Sequence, residues 1–521
     1  MWIIFINFAS EIMKDLEIIP FRIAAALLTL LLSCIHIYAE EPCDTARTSI
    51  TFDLAAEIAA GSGHYTAYQL TTNRHHILGS RANTAYTRAT LSAKHNLSKL
   101  LTLSGKVDMV ASVHGDFPLY LQQCYVRLAN KQLFIEAGNH EDKQVVREDM
   151  LSVGSFAKGT NAKPIPQVRI GTNGFQYVPY TKNWVQVNIE AGYGKFLDSD
   201  YRKERMIASS SVNTSYTTGA YYHQKHLYIR SNPEKMFFAM VGIEHVVQFG
   251  GTKFSFENGE LVSNKKPTDT KSFINVILPF GDTQYYEHGT LEDWVFGNHI
   301  GVMTYQVGCN ITKHHRVQAY LDNPFEDGSG IRKGNGYDGL WGLEYSNSAP
   351  GRQLVRSAVF EYFQSTNQSG PLHWDSSDYP EPVRSQVSDF ITGEDKYYNH
   401  SFYGGYSYYG MTPGIALITS PIYNSDGYVG FRDNRIKAWH VGIRGELTQS
   451  LSYLVKGSYR EGWGTYSLPL AQKHHSFDAM IQGNYHYGAW NFSAAYAISS
   501  GNIYGNCSTL DIKIGYHGKI F

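Results

Sequence analysis

Apolar and polar residues alternate with a period of two in segment after segment of this chain. Leu101, Leu103, Val107, Met109, Ala111 and Val113 interleave with Thr102, Ser104, Lys106, Asp108 and Ser112. Such alternation marks a β-strand whose two faces meet different surroundings. The run matches the roughly 9–11 residues that a tilted strand needs to cross a bilayer, against about 5–6 for strands of soluble sandwiches. The pattern returns at Val441, Ile443 and Leu447; at Leu451, Tyr453 and Val455; at Phe477, Ala479, Ile481 and Tyr485; and at Phe492, Ala494 and Tyr496. It ends with Leu510, Ile512, Ile514, Tyr516 and Ile520, interleaved with Asp511, Lys513, His517 and Lys519. The chain is therefore expected to be all-β: a transmembrane antiparallel β-barrel of about 18 strands, within roughly 16–20.

The connections sort by length. Counting back from a last strand that ends in the periplasm, 500–507, 460–475, 420–435, 367–399 and 322–337 fall outside. The turns at Gly488 and Ala489, 448–450, 410–414, 347–352 and 312–314 fall inside. Long connections outside and short ones inside are the asymmetry of bacterial barrels. Bacterial barrels commonly end in an aromatic residue that the insertion machinery reads, and Phe521 is expected to fill that place, although the apolar register closes one residue out of phase on Ile520, which weakens the signal. Residues 141–151 lack the period of two and predict a short helical element at a barrel mouth. Residues 255–270 are polar and predict a surface loop.

One long apolar run, 23–32, follows Lys14 and Arg22 and precedes Ile37, Tyr38 and Ala39. That order is a secretory signal. It predicts a signal peptide over 1–39, with Met13 as the start, and a single outer-membrane barrel domain over 40–521. Leu31 to Cys34 also fits a lipidation site, which would make Cys34 the processed N-terminus.

Composition agrees with export to a membrane. Charged residues are 17% and aromatics 14%, with 38 Tyr and 48 Gly among 521 residues. Lipid-facing positions alternate with lumen positions and interfacial girdles consume aromatics, which gives this mixture. The net charge of −1 excludes the basic excess of a nucleic-acid binder. Cys34, Cys43, Cys124, Cys309 and Cys507 show no C-x-x-C spacing and suggest no disulfide framework.

Catalytic signatures are absent: the chain has no G-x-S-x-G and no H-E-x-x-H. Gly334, Gly336 and Gly339 match G-x-G-x-x-G, but between strands rather than opening a helix, where a dinucleotide site would need them. Adjacent histidines such as His314 and His315 point to opposite faces of a strand and cannot converge on one metal. No cofactor and no enzyme activity are expected. Asp322 and Asp327, with Asn323 and Glu326, are the oxygen-rich group considered for Ca²⁺.

The external loops hold the richer chemistry. Aromatic faces stack on sugar rings, carboxamides and carboxylates bond hydroxyls, and an arginine fork suits acidic sugars. The candidate stacking residues are Trp341, Trp374, Tyr397, Tyr398 and Trp463. The candidate polar contacts are Asp338, His373, Asn399 and Arg435. Trp341 shares a strand face with Leu343 and Tyr345, which also suits a lipid anchor.

The segments NPFEDGSG, YDGLWGLEY (337–345), FEYFQSTNQSGPLH (360–373), DKYYNHSFYGGYSYYGMTPG (395–414), NRIKAWHVGIRG (434–445) and LSVGSFAKGTNAKPIPQVRIG (151–171) resemble the capsule assembly protein Wzi family. The likeness runs over roughly 120–521. It implies an outer-membrane lectin that binds exported capsular polysaccharide and helps hold it at the cell surface, with a small helical element that 141–151 would supply. The competing reading is a sugar-selective or general porin. A lectin should have its lumen blocked, whereas a porin leaves a water channel.

Overall fold

The computed structural model describes residues 48–258, 260–277, 296–326, 328–369 and 395–520. The export signal expected over 1–39 and the terminal Phe521 lie outside them.

Eighteen antiparallel strands close into one barrel. In chain order they are β1 (Thr48–Ser62), β2 (Thr84–Asn96), β3 (Thr102–Val113), β4 (Leu119–Ala129), β5 (Leu133–Asn139), β6 (Gln167–Thr172, resumed at Gln176–Tyr177), β7 (Val185–Lys195), β8 (Tyr221–Ser231) and β9 (Phe237–Phe249). There follow β10 (Asn298–Asn310), β11 (His315–Phe325), β12 (Gly339–Asn347), β13 (Ser357–Gln364), β14 (Ile436–Glu446), β15 (Leu451–Gly464), β16 (Pro469–Tyr487), β17 (Trp490–Gly501) and β18 (Cys507–Lys519). Each strand pairs with its successor. β1 closes the ring on β18, from Thr51 opposite Lys519 to Ser62 opposite Ser508.

Alternation along each strand sorts the side chains. Leu54 and Ile58 on β1, Val441 and Ile443 on β14, and Leu510, Ile512 and Ile514 on β18 are exposed, whereas Glu57, Asp108, Glu136, Glu361, His440 and Asp478 are buried. An exposed apolar belt around a polar lumen is the solution for a wall bathed in lipid, where every backbone group must be bonded strand to strand. The chain is an outer-membrane, multi-pass β-barrel.

Short connections share one rim: 97–101, 130–132, 311–314, 447–450, and the tight turn at Gly488 and Ala489, where Gly488 takes φ +58°. The long ones, 63–83, 140–166, 196–220, 250–297, 326–338 and 365–435, share the other, which is therefore the outer rim. One detail of the sequence count is corrected. Segments 367–399, 410–414 and 420–435 are not three connections. β13 pairs directly with β14, so everything between Gln364 and Ile436 is one excursion. The parity held because a spurious pair of strands adds two reversals, which cancel.

Three outer connections turn inward and fill the lumen as a plug. Tyr68 from 63–83, Val153 and Phe156 from 140–166, and Tyr397, Tyr406 and Ile415 from 365–435 join one buried apolar cluster with the wall residues Tyr222, Val302, Tyr320, Phe363 and Ala438. Charged groups lock its periphery. Arg147 pairs with Asp322 of β11, Arg74 with Glu57 of β1 (2.6 Å), Glu141 with Arg88 of β2 (2.8 Å), Asp142 with Arg169 of β6 (2.6 Å) and Glu148 with Arg444 of β14 (3.0 Å).

This pairing explains a second correction. Residues 141–151 form no helix. Their charges have partners on β2, β6, β11 and β14, spread around the wall, and an open backbone reaches them all; tertiary bonding overrides local propensity. The longest helix among the described residues is Ser199–Ala208. Segment 255–270 is likewise more ordered than a loop: Thr252–Glu257 and Glu260–Lys265 form a hairpin extended by Ser215–Thr218.

Candidate functional site

At the outer rim above the plug, four pieces of chain surround a cleft of about 720 Å³: 212–215, 396–404, 428–434 and the 465–470 turn between β15 and β16. Its described lining includes Lys396, His400, Arg432, Tyr428, Tyr466, Gln368, Asn399 and Asn434, and no carboxylate.

The walls are built by side chains that bond backbone. Asn399 donates from Nδ2 to the Phe431 carbonyl (2.9 Å) and accepts from the Phe431 N–H through Oδ1 (2.8 Å). Asn213 does the same between Val429 N–H (3.0 Å) and the Gly427 carbonyl (2.9 Å). Asn434 donates to the carbonyls of Lys396 (2.6 Å) and Tyr397 (3.0 Å). Its buried Oδ1 has no partner among the described residues, an unusual state for a buried acceptor.

Asp338 works beneath the cleft. It accepts backbone N–H groups of Asn367 (3.0 Å) and Gln368 (2.8 Å). These bonds hold Gln368 and Ser369, whose φ values of +46° and +72° are left-handed and disfavoured for residues with a Cβ. Burial raises the Asp338 carboxyl above its ordinary range, and the hydrogen bonds from Gln368 and Asn367 only partly oppose it.

Two cation–aromatic stacks line or flank the opening. The Arg432 guanidinium lies 4.0 Å from the Tyr428 ring centroid and pairs with Asp426; the Arg435 guanidinium lies 3.9 Å from that of Tyr466. The Tyr466 hydroxyl donates to the Thr366 carbonyl (3.0 Å). Cations over aromatic faces, with carboxamides between them, are suited to sugar rings that carry hydroxyls and negative groups.

The residues singled out by sequence fall into distinct places. Asn399 lines the cleft, Arg435 flanks it on Tyr466, and Asp338 supports it from below. Trp463 is half-buried between Lys437 and Lys473, their ammonium groups 5.9 and 5.8 Å from its ring centroid. Trp341 is elsewhere: it stands on the outward face in register with Tyr362, Trp439, Tyr459 and Phe477 on successive strands, an aromatic girdle. Tyr397 and Tyr398 are fully buried in the plug and present no ring face to a ligand. His373 and Trp374 lie outside the described residues. Asp322, considered for Ca²⁺, is buried against Arg147 and accepts from Thr304 Oγ1 (2.9 Å), so its charge is already compensated. Asp327 lies outside the described residues. Sequence reasoning missed Lys396, His400, Tyr428, Arg432 and Tyr466. They stand in the same or adjoining aromatic segments, and only burial separates them from Tyr397 and Tyr398.

No family model matches the chain, and no curated protein matches its sequence. Solved structures match its shape. Wzi of Escherichia coli, described as an outer-membrane protein involved in group 1 capsule assembly and a carbohydrate-binding β-barrel, aligns with a TM-score of 0.53 at 10% identity, over 90% of this chain and 84% of Wzi. OccK5 of Pseudomonas aeruginosa aligns at 0.45 and 8% identity over 91% and 99%, and OprD of the same organism at 0.44 and 9% over 91% and 96%. At these identities the likeness to Wzi is one of fold.

Proposed function

We propose that this chain is a non-enzymatic outer-membrane lectin of the Wzi kind, which binds an exported, acidic capsular polysaccharide and helps hold it at the cell surface. The observation that carries the reading is the outer cleft, lined among the described residues by Lys396 and Arg432 and by no carboxylate, above a lumen filled by plug. An acidic polymer meets its complement there: cations for carboxylates, the Tyr428 and Tyr466 rings for pyranose faces, and Asn399 and Asn434 for hydroxyls. Sequence segments that resemble the Wzi family supply part of each, 396–404 of the cleft and stretches of 151–166 and 395–414 of the plug. His373 and Trp374 belong to the proposed contact set through their place in the same excursion, and Trp463 with Arg435 through the adjoining rim.

The porin alternative requires a continuous water path. Packing of Phe156, Tyr397, Tyr398 and Tyr406 across the lumen opposes one. Planar-bilayer recording on the purified protein tests this. The lectin reading expects no stable single-channel steps; large, long-lived steps would replace it with the porin reading.

A further inference from the structure

We infer that the outward face of β8–β10 carries a site, built around Lys225, for the phosphate of an outer-leaflet membrane lipid. Alternation puts His223 and Lys225 of β8, His245 of β9 and His299 of β10 on the side of the wall that also presents the exposed Leu227, Ile229, Val241 and Tyr305. Register brings the four together. Lys225 lies opposite His245, and His223 opposite Val247, which in turn faces His299. Lys225 stands as many residues from the short-turn end of its strand, Ser231, as the girdle residue Trp341 stands from Asn347. That places it at the outer membrane interface, the level of lipid headgroups.

A chain of hydrogen bonds orients the nitrogens. The Lys225 ammonium can only donate, and it donates to His245 Nδ1 (2.6 Å). His245 therefore carries its proton on Nε2 and donates to His299 Nδ1 (2.9 Å), and His299 donates from Nε2 to the Phe296 carbonyl (3.1 Å). The His245 ring stacks on those of His299 and Phe325, at centroid distances of 5.0 and 5.9 Å. Phe273 and Val276 pack with Val247 and Phe249 at the outer end of the same face, and Tyr193 donates to the Phe273 carbonyl (2.7 Å). The three histidines are buried, whereas Lys225 stays partly exposed. A lysine alone at this level would extend toward water; the bond to His245 holds this one against the wall.

Its charge has no counterion there. No outward position of β7, β8, β9 or β10 is a carboxylate. Glu190 and Glu244 of these strands face the lumen, where Lys158 and Ser155 of the plug bind them. The described carboxylates of the 250–297 connection are Glu257, Glu260 and Asp269. Asp269 caps the Thr270–Asn275 helix through the Ser272 N–H (2.9 Å), and none of the three pairs with Lys225. Among the described residues Lys225 has one hydrogen bond and no ion pair, so its remaining ammonium donors are unspent. A cation on the lipid face is unfavourable by itself and is relieved by an anion. Toward the membrane, Ile189, Leu227 and Ile229 give exposed apolar surface for acyl chains. A phosphorylated lipid meets both features, whereas free phosphate meets only the first. This inference does not depend on the outer cleft.

The test is lipid retention by the full chain purified in detergent, read by native mass spectrometry. The probes are bisphosphorylated lipid A, the same lipid with its phosphates removed, and glucosamine 1-phosphate as a free headgroup. Removing the phosphates, or replacing Lys225→Met, should each raise the half-saturating lipid concentration by about fivefold, the effect of one lysine at an anionic headgroup. Lys225→Arg should keep the preference for phosphate, as should Lys131→Met on the short-turn rim, and glucosamine 1-phosphate should not compete at the concentration that saturates with lipid. Equal retention with and without phosphate, retention unchanged in Lys225→Met, an equal loss in Lys131→Met, or competition by the free headgroup overturns the inference. If Lys225→Met does not assemble, the parent protein is acetylated with acetic anhydride. Bisphosphorylated lipid A should then slow modification of Lys225 and the dephosphorylated lipid should not; equal rates with the two lipids overturn the inference.

Discussion

The Tyr398 ring stacks on Phe156 at a centroid distance of 4.7 Å, and its hydroxyl donates to the Phe156 carbonyl (2.5 Å) while accepting from the Ile415 N–H (2.9 Å). One tyrosine therefore ties 140–166 to 365–435 at two points inside the barrel. Tyr398→Phe removes both hydrogen bonds and keeps the ring. The Phe156 carbonyl and the Ile415 N–H are then left buried and unbonded, a loss of about 1–3 kcal/mol. Thermal unfolding in detergent should register it as a lower midpoint, with polysaccharide binding unchanged while the protein is folded.

The Arg147–Asp322 pair is the firmest electrostatic link between plug and wall, with both side chains about 1% exposed. Arg147→Ala strands a buried carboxylate and should destabilise by about 3–5 kcal/mol. The double variant Arg147→Met, Asp322→Leu removes both charges and should recover most of that loss, as read by thermal unfolding and heat-modifiable gel migration. A double variant no more stable than the single one would mean that packing around Arg147, rather than charge, holds the plug.

Acid should loosen the outer connection at 114–118. Burial raises the Asp116 carboxyl, but the hydrogen bond and charge of His76 and the bonds from Ser80 N–H (2.7 Å) and Oγ (2.8 Å) outweigh it and hold the carboxyl below its ordinary range. A depressed carboxylate stabilises the fold above its unfolded pKa of about 3.9, and that stabilisation is lost as pH falls through the lower folded value. Stability should drop on acidification below about pH 4. Asp116→Asn should flatten this part of the profile, measured by urea unfolding across pH.

Trp341 should behave as an anchor. Its register with Tyr362 and Trp439, whose rings lie 5.4 Å apart, places it in the outward girdle. Aromatic belts hold barrels at the membrane interface. Trp341→Ala should lower assembly yield in cells and leave the affinity of the purified barrel for polysaccharide unchanged.

Topology is open to a direct check. A single cysteine at Ser467 in the outer turn should react with an impermeant maleimide on intact cells. One at Gln449, on the short-turn rim, should react only after the outer membrane is permeabilised. The reverse pattern would invert the barrel and place the cleft on the periplasmic side.

The wall was legible in the sequence because alternation is local. The faces of Val441, Ile443, Leu510 and Ile512 follow from neighbours one and two residues away, and Trp341 could be read as an anchor from Leu343 on the same face. The plug was not legible, because what makes it a plug is distant: Ser152 and Tyr320, from two separate parts of the chain, both donate to Glu361 in a third, at 2.6 and 2.5 Å. The same holds for the site. Tyr397, Tyr398 and Tyr428 are alike in sequence, each in a stretch rich in Tyr, Gly, Asn and Asp. Packing against Phe156 buries the first two, and the Arg432 stack keeps the third at the cleft.

The central claim is that the outer cleft binds the exported polymer, and the most direct measurement is equilibrium binding of the source cell's own capsular polysaccharide to purified barrel. Parent protein should be compared with a Tyr428→Ala, Arg432→Ala double variant that migrates normally on heat-modifiable gels. Losing a stacking ring and its cation from a binding cleft should weaken binding by at least about tenfold, or about 1.4 kcal/mol. Equal affinity in parent and variant, with both barrels fully assembled, would contradict the account.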